Sequence, residues 1–209
     1  HIFKPRNMQA GEKRPVIVYF FGGGWKLGTP LQFYRECAYY ASKGMVAVSV
    51  DYRIEYLHHS TPFDSFEDAK DAICWLRSHA SDYQLDPDKI AVAGGSAGGH
   101  LAAALGTIGS DEAVNYRPNL SVLYYPVVDM VSRGYGFPEI KRDFEKISPI
   151  HHVSEATPST LILLGTKDPI VSVETIRSYQ DKLLQKGVDC ELHLFEGAGH
   201  PIFLYRKPL

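Results

Sequence analysis

The chain is poor in cysteine, and Cys37, Cys74 and Cys190 are odd in number and match no metal-ligand spacing. A disulfide framework and a thiolate metal site are therefore not indicated, and each thiol reads as a small apolar core residue. No apolar run reaches the roughly 18 residues that a membrane-spanning helix needs. The start shows no charged, apolar and small-residue succession of a signal peptide, which says little about the compartment. His1 is not an initiator methionine and Lys207-Pro208-Leu209 gives no obvious closure, so the chain reads as a processed or trimmed piece of a longer protein. Charge of one sign is also lacking. The net charge is -2 with the charges scattered, which leaves no basic field for nucleic acid or an anionic membrane. Internal repeats and low-complexity tracts are absent, and oligomeric state is not legible.

What remains is 209 residues with 44% apolar content, enough for one domain spanning 1–209 with a large core. Val16 to Phe21 is an uninterrupted apolar run, as a parallel strand covered on both faces requires. Further strands are expected at Val46 to Val50, Ile90 to Ala93, Leu120 to Val128, Thr160 to Leu164 and Asp189 to Phe195. Helices are expected over Leu31 to Lys43, after a capping box at Ser65 and Asp68, after Ser96, and over Ser172 to Lys186. Asp86-Pro87-Asp88 reads as a turn, and residues 130–158 as an irregular excursion near the site. Strands alternating with helices predict an α/β fold with a doubly wound, mostly parallel sheet whose sites lie at the strands' carboxyl ends.

The stretch Ala91 to Leu101 organises this pattern, because it reads as a buried strand turning sharply into a helix. Gly94-Gly95-Ser96-Ala97-Gly98 is a G-x-S-x-G turn, whose glycines remove side chains that would collide in so tight a bend. A dinucleotide loop needs G-x-G-x-x-G, but Ser96 takes the second glycine's place, and the Gly-Lys-Ser/Thr ending of a phosphate loop is missing.

Ser96, Asp168 and His200 each fall in a loop just after an expected strand, at the same sheet edge. A serine hydroxyl attacks well only when an imidazole takes its proton, and the imidazole needs a carboxylate to hold its tautomer. The order serine, aspartate, histidine is the one expected of a nucleophile elbow on such a sheet. Asp129 is a rival acid, and His58, His59, His100, His151 and His152 are rival bases suited better to surface or supporting roles. Backbone N–H groups of the Gly22-Gly23-Gly24 turn and of Ala97 are candidate oxyanion donors. Trp25, beside them, either pins the loop by packing or forms a substrate wall.

These residues resemble the α/β-hydrolase superfamily, in particular esterases of the hormone-sensitive-lipase group and relatives of feruloyl and acetyl-xylan esterases. The matching motifs are Gly22-Gly23-Gly24-Trp25, Asp51-Tyr52-Arg53, Glu67-Asp68-Ala69, Gly94 to His100, Gly165-Thr166-Lys167-Asp168 and Gly199-His200, within a resemblance running from Pro15 to about Phe203. The resemblance implies carboxylester hydrolysis through Ser96, Asp168 and His200, with the N–H groups of Gly23, Gly24 and Ala97 holding the oxyanion and no cofactor needed, and no metal site is expected. Phe21 departs from it, standing where an H-G-G-G-W motif has histidine, which puts the loop's support in question. Amino-terminal edge strands are expected to be missing and the cap to be small or absent, leaving an open site. An open site favours a small acyl group on a polar alcohol such as an acetylated or feruloylated sugar, with Tyr135 and Phe137 packing the excursion or stacking on sugar. The same machinery serves an amidase, either an aryl formamidase or a serine peptidase, and a non-catalytic binding module could retain the fold.

Overall fold

A seven-stranded sheet in the order β1-β3-β2-β4-β5-β6-β7 forms the centre of the computed structural model, which describes residues 1–109, 116–130 and 143–202. The strands are β1 Ile2–Phe3, β2 Arg14–Phe20, β3 Val46–Val50, β4 Leu85–Gly95, β5 Leu120–Tyr124, β6 Ser159–Gly165 and β7 Cys190–Phe195. All neighbours pair in parallel except β1, which runs antiparallel to β3. Edge structure was expected to be missing here, and Ile2–Phe3 supplies two residues of it, Ile2 opposite Val48 and Phe3 opposite Ala47.

Continuous apolar runs became interior strands because both of their faces are covered. Every residue from Val16 to Phe20 and from Val46 to Val50 is buried, while the edge strand β7 alternates between half-buried and exposed positions. The helix Ala97–Thr107 is buried along its whole length, which its alanines and glycines permit by letting it lie close to β4 and β5. Among the described residues, no helix is long and apolar enough to cross a membrane.

Several boundaries differ from the expectation. The helix expected after Ser65 begins at Pro62, and its capping box is Thr61 with Asp64. Pro62 sets the first helical turn, the Thr61 side chain accepts from the Asp64 N–H, and the Asp64 carboxylate accepts from the Thr61 N–H at 2.8 Å. Ser65 and Asp68 instead hold Arg53: the Ser65 hydroxyl donates to its carbonyl at 2.8 Å, and the Asp68 carboxylate receives its guanidinium at 2.7 Å. The Asp86-Pro87-Asp88 turn lies inside β4, as a bulge where the register jumps from Arg14–Leu85 to Val16–Ile90. β5 ends at Tyr124, because Tyr125 turns the chain with a φ of 38°. Within the excursion, a short helix covers Phe144–Ile147 and a 3-10 turn Pro149–His151. Tyr135 and Phe137 lie outside the described residues.

The register brings the functional loops together. Phe20 pairs with Gly94, Gly95 with Tyr124, Tyr124 with Leu163, and Gly165 with Phe195. The loops leaving β2, β4, β5, β6 and β7 therefore emerge at one edge.

Candidate active site

Ser96 sits on the bend between β4 and the helix Ala97–Thr107 with φ 55° and ψ -118°, a conformation that a residue with a Cβ adopts only under constraint. The constraint comes from both sides. Its N–H donates to Tyr124 at 3.0 Å, and its carbonyl accepts from His100 at 2.9 Å. A Cβ on Gly98 would collide with the carbonyl oxygens of Phe20 and Phe21, so glycine there lets the helix approach β2. The residue as a whole is 8% exposed.

The His200 ring bridges the other two loops. Its Nε2 lies 2.9 Å from Ser96 Oγ and its Nδ1 2.7 Å from Asp168 Oδ2. The Asp168 side chain is fully buried, and its other oxygen accepts the N–H groups of Ile170 and Val171 at 2.8 and 2.9 Å. One carboxylate thus closes its own turn and holds the imidazole. Burial pushes the Asp168 carboxyl up, but hydrogen bonds from His200, Val171 and Ile170 together outweigh this and hold it below its usual range. An ionised Asp168 only accepts, so Nδ1 of His200 donates to it and Nε2 is left to accept from the Ser96 hydroxyl.

The rivals stand apart from this line of contacts. His100 is fully buried and reaches the Ile147 carbonyl through Nε2 at 2.7 Å, and burial lowers its pKa to about 4. His58 bonds to the backbone of Ile54, His152 to the carbonyl of Glu145, and His59 is exposed. Asp129 stands 3.8 Å from His151, in a separate pair.

A cleft of about 340 Å³ opens over Ser96 and His200, walled by Gly22, Gly23, Gly24, Leu27, Gln32, Tyr125 and Ile170 among others. Gly23 has a φ of 144°, and a Cβ there would run into the Leu27 carbonyl, so this turn needs glycine. Among the described residues, the N–H groups of Gly23, Gly24 and Ala97 donate to no protein acceptor. Trp25 is corrected as a substrate contact. It is 2% exposed, does not line the cleft, and packs edge-on against the His100 ring at 5.1 Å between centroids, pinning the loop from beneath. A larger groove of about 670 Å³ beside Phe3, Lys4, Arg6 and Arg14 lies where β2 and β3 begin, away from this edge. Among the described residues no group of three or more His, Cys, Asp or Glu is placed to hold a metal.

Two contributors escaped sequence reasoning. Tyr125 packs edge-on against His200 at 4.7 Å, and burial first, then the charges of Tyr124 and Asp168, push its phenol up to about 12, so it stays protonated. Its signal was the Tyr125-Pro126 pair just after β5. Gln32 accepts the Gly22 N–H at 2.6 Å, a contact with no local sequence signature.

A family profile described as BD-FAE matches residues 1–142. The chain is similar to esterase LipC of Mycobacterium tuberculosis, at 32% identity over 218 residues covering 89% of this chain and 52% of LipC. It is also similar to an acetylxylan esterase of Xylanibacter ruminicola, at 25% identity over 201 residues covering 88% and 40%. The chain spans about half the length of the curated relatives it matches. Among solved structures, esterase 2 of the planctomycete Thermogutta terrifontis phosphoramylated by tabun matches with a TM-score of 0.90 at 38% identity, over 97% of this chain and 79% of that one. The same esterase has been solved with propionate and with butyrate bound.

Proposed function

Because the chain belongs to the BD-FAE family of α/β-hydrolases, we propose that it is a serine carboxylesterase working through an acyl-enzyme, with Ser96 as nucleophile, His200 as general base and acid, and Asp168 as the group that orients His200. The unbroken hydrogen-bonded line from Ser96 Oγ through His200 to Asp168 carries this reading. Ser96 Oγ attacks the ester carbonyl carbon while His200 Nε2 takes its proton, and Asp168 stabilises the imidazolium that forms. The N–H groups of Gly23, Gly24 and Ala97 receive the developing oxyanion, where fixed donors act without reorganisation. His200 then returns the proton to the leaving alcohol, and water repeats the sequence to free the acid.

The substrate class is short-chain, aryl or acetyl esters, including acetyl groups on carbohydrate. A cleft of about 340 Å³ suits a small acyl group better than a long chain, and the propionate- and butyrate-bound neighbour and the acetylxylan esterase relative support that direction. Hydrolysis of 4-nitrophenyl acetate, butyrate and octanoate and of acetylated xylan tests it. The expected result is turnover falling with acyl length and lost by at least about a thousandfold in Ser96→Ala. Activity unchanged in Ser96→Ala would refute the proposal.

A further inference from the structure

We infer that Gln32 selects among esters by donating its side-chain amide hydrogens to an acceptor oxygen of the substrate, an inference that rests on the esterase reading. The orientation of this amide follows from chemistry. The Gly22 N–H needs an acceptor and finds Oε1 at 2.6 Å, so the oxygen faces the glycine loop and the Nε2 hydrogens face away from it. Gln32 lines the same cleft as Ser96 and His200. Among the described residues no acceptor is hydrogen-bonded to its Nε2, so two donors stand at a half-buried wall without protein partners. Leu27 and Ile170, on the same cleft, offer only apolar surface.

The donor is also held in place. Gln32 lies in the 3-10 turn Pro30–Phe33, whose ends are buried. The Pro30 carbonyl accepts from the Ser49 hydroxyl at 2.8 Å, and the Phe33 ring stacks on Tyr19 with centroids 4.8 Å apart. A side chain fixed by its backbone on one side and by Gly22 on the other loses little freedom on meeting a ligand, the condition for a selective contact. The ligand chemistry it fits is an ester with an ether or hydroxyl oxygen near the reacting carbonyl, carried on either the acyl or the alcohol side.

Two pairs of near-isosteric esters separate these sources: 4-nitrophenyl methoxyacetate against 4-nitrophenyl butyrate, and 2-methoxyethyl acetate against butyl acetate. The readout is the kcat/KM ratio within each pair, compared between wild type and variants, which cancels intrinsic reactivity. Gln32→Glu keeps an acceptor for the Gly22 N–H but removes the donors, and Gln32→Met removes both. The expected result is that the ratio of one pair falls about tenfold in both variants, the worth of one neutral hydrogen bond, and the affected pair names the side. Ratios unchanged in both pairs, with rates falling equally for all four esters, overturn selection and leave Gln32 as loop support alone. Wild-type protein that turns over none of the four and takes no paraoxon adduct on Ser96 overturns the esterase reading as well.

Discussion

The Tyr52 phenol donates to the Phe21 carbonyl at 2.7 Å, and the two rings stack with centroids 4.1 Å apart and planes 14° from parallel. This contact answers what holds the glycine loop where the related motif has a histidine. Phe21 is fully buried, and its ring also closes against Gly28, where any Cβ would strike it. The loop is supported from below by aromatic packing and one buried hydrogen bond.

Tyr52→Phe should therefore leave a buried carbonyl without its donor and lower stability by about 1–3 kcal/mol, several degrees in Tm for a domain of this size. Phe21→His, although it restores the family motif, should also lower Tm, because it breaks the stack and buries a polar ring. Thermal unfolding of both variants checks this, and a rise in Tm for Phe21→His contradicts it.

Gly23→Ala places a Cβ against the Leu27 carbonyl at a φ of 144°. The turn must shift, and with it the proposed oxyanion donors. The expected loss in kcat is about a hundredfold or more, with Ser96, His200 and Asp168 intact. Steady-state kinetics on 4-nitrophenyl acetate measures it.

Asp168→Asn keeps the shape of the side chain but removes the ionised acceptor for His200 Nδ1. The imidazole then favours the tautomer that cannot accept from Ser96, and kcat should fall by roughly 10³ to 10⁴. A loss of tenfold or less indicates that another acid, with Asp129 the first to test, orients the base.

His100 sets a pH dependence of stability. Folded, it resists protonation until about pH 4, whereas an unfolded histidine titrates near 6.5. Between these values the unfolded state binds more protons, so stability rises with pH across the window and is full above it. The whole shift corresponds to roughly 3 kcal/mol. Denaturant midpoints at pH 7 and pH 4.5 should differ less in His100→Gln than in wild type, and an equal difference in both contradicts the assignment.

Much of the architecture was legible because it rests on local rules. Uninterrupted apolar runs such as Val16 to Phe20 announce strands covered on both faces, and the glycines around Ser96 announce a bend that only small residues allow. The meeting of Ser96, Asp168 and His200 was legible from topology, since loops after neighbouring parallel strands share an edge. The illegible parts depend on contacts distant in sequence. Phe21 needs Tyr52, 31 residues on, and the Gly22 N–H donates to Gln32, which belongs to another turn. The capping box lies elsewhere than expected because Ser65 and Asp68 also fit the pattern, while Pro62 fixes the first turn four residues earlier. For Trp25 next to the glycines the sequence left packing and a substrate wall open, and the contact that decides for packing is with His100, 75 residues on.

The proposed function requires Ser96 to be an activated nucleophile. The most direct measurement is peptide mapping by mass spectrometry after treating the folded protein with paraoxon. One diethylphosphoryl adduct on Ser96, lost in Ser96→Ala, is the expected result. Folded protein that takes no adduct, or takes it at another residue, contradicts it.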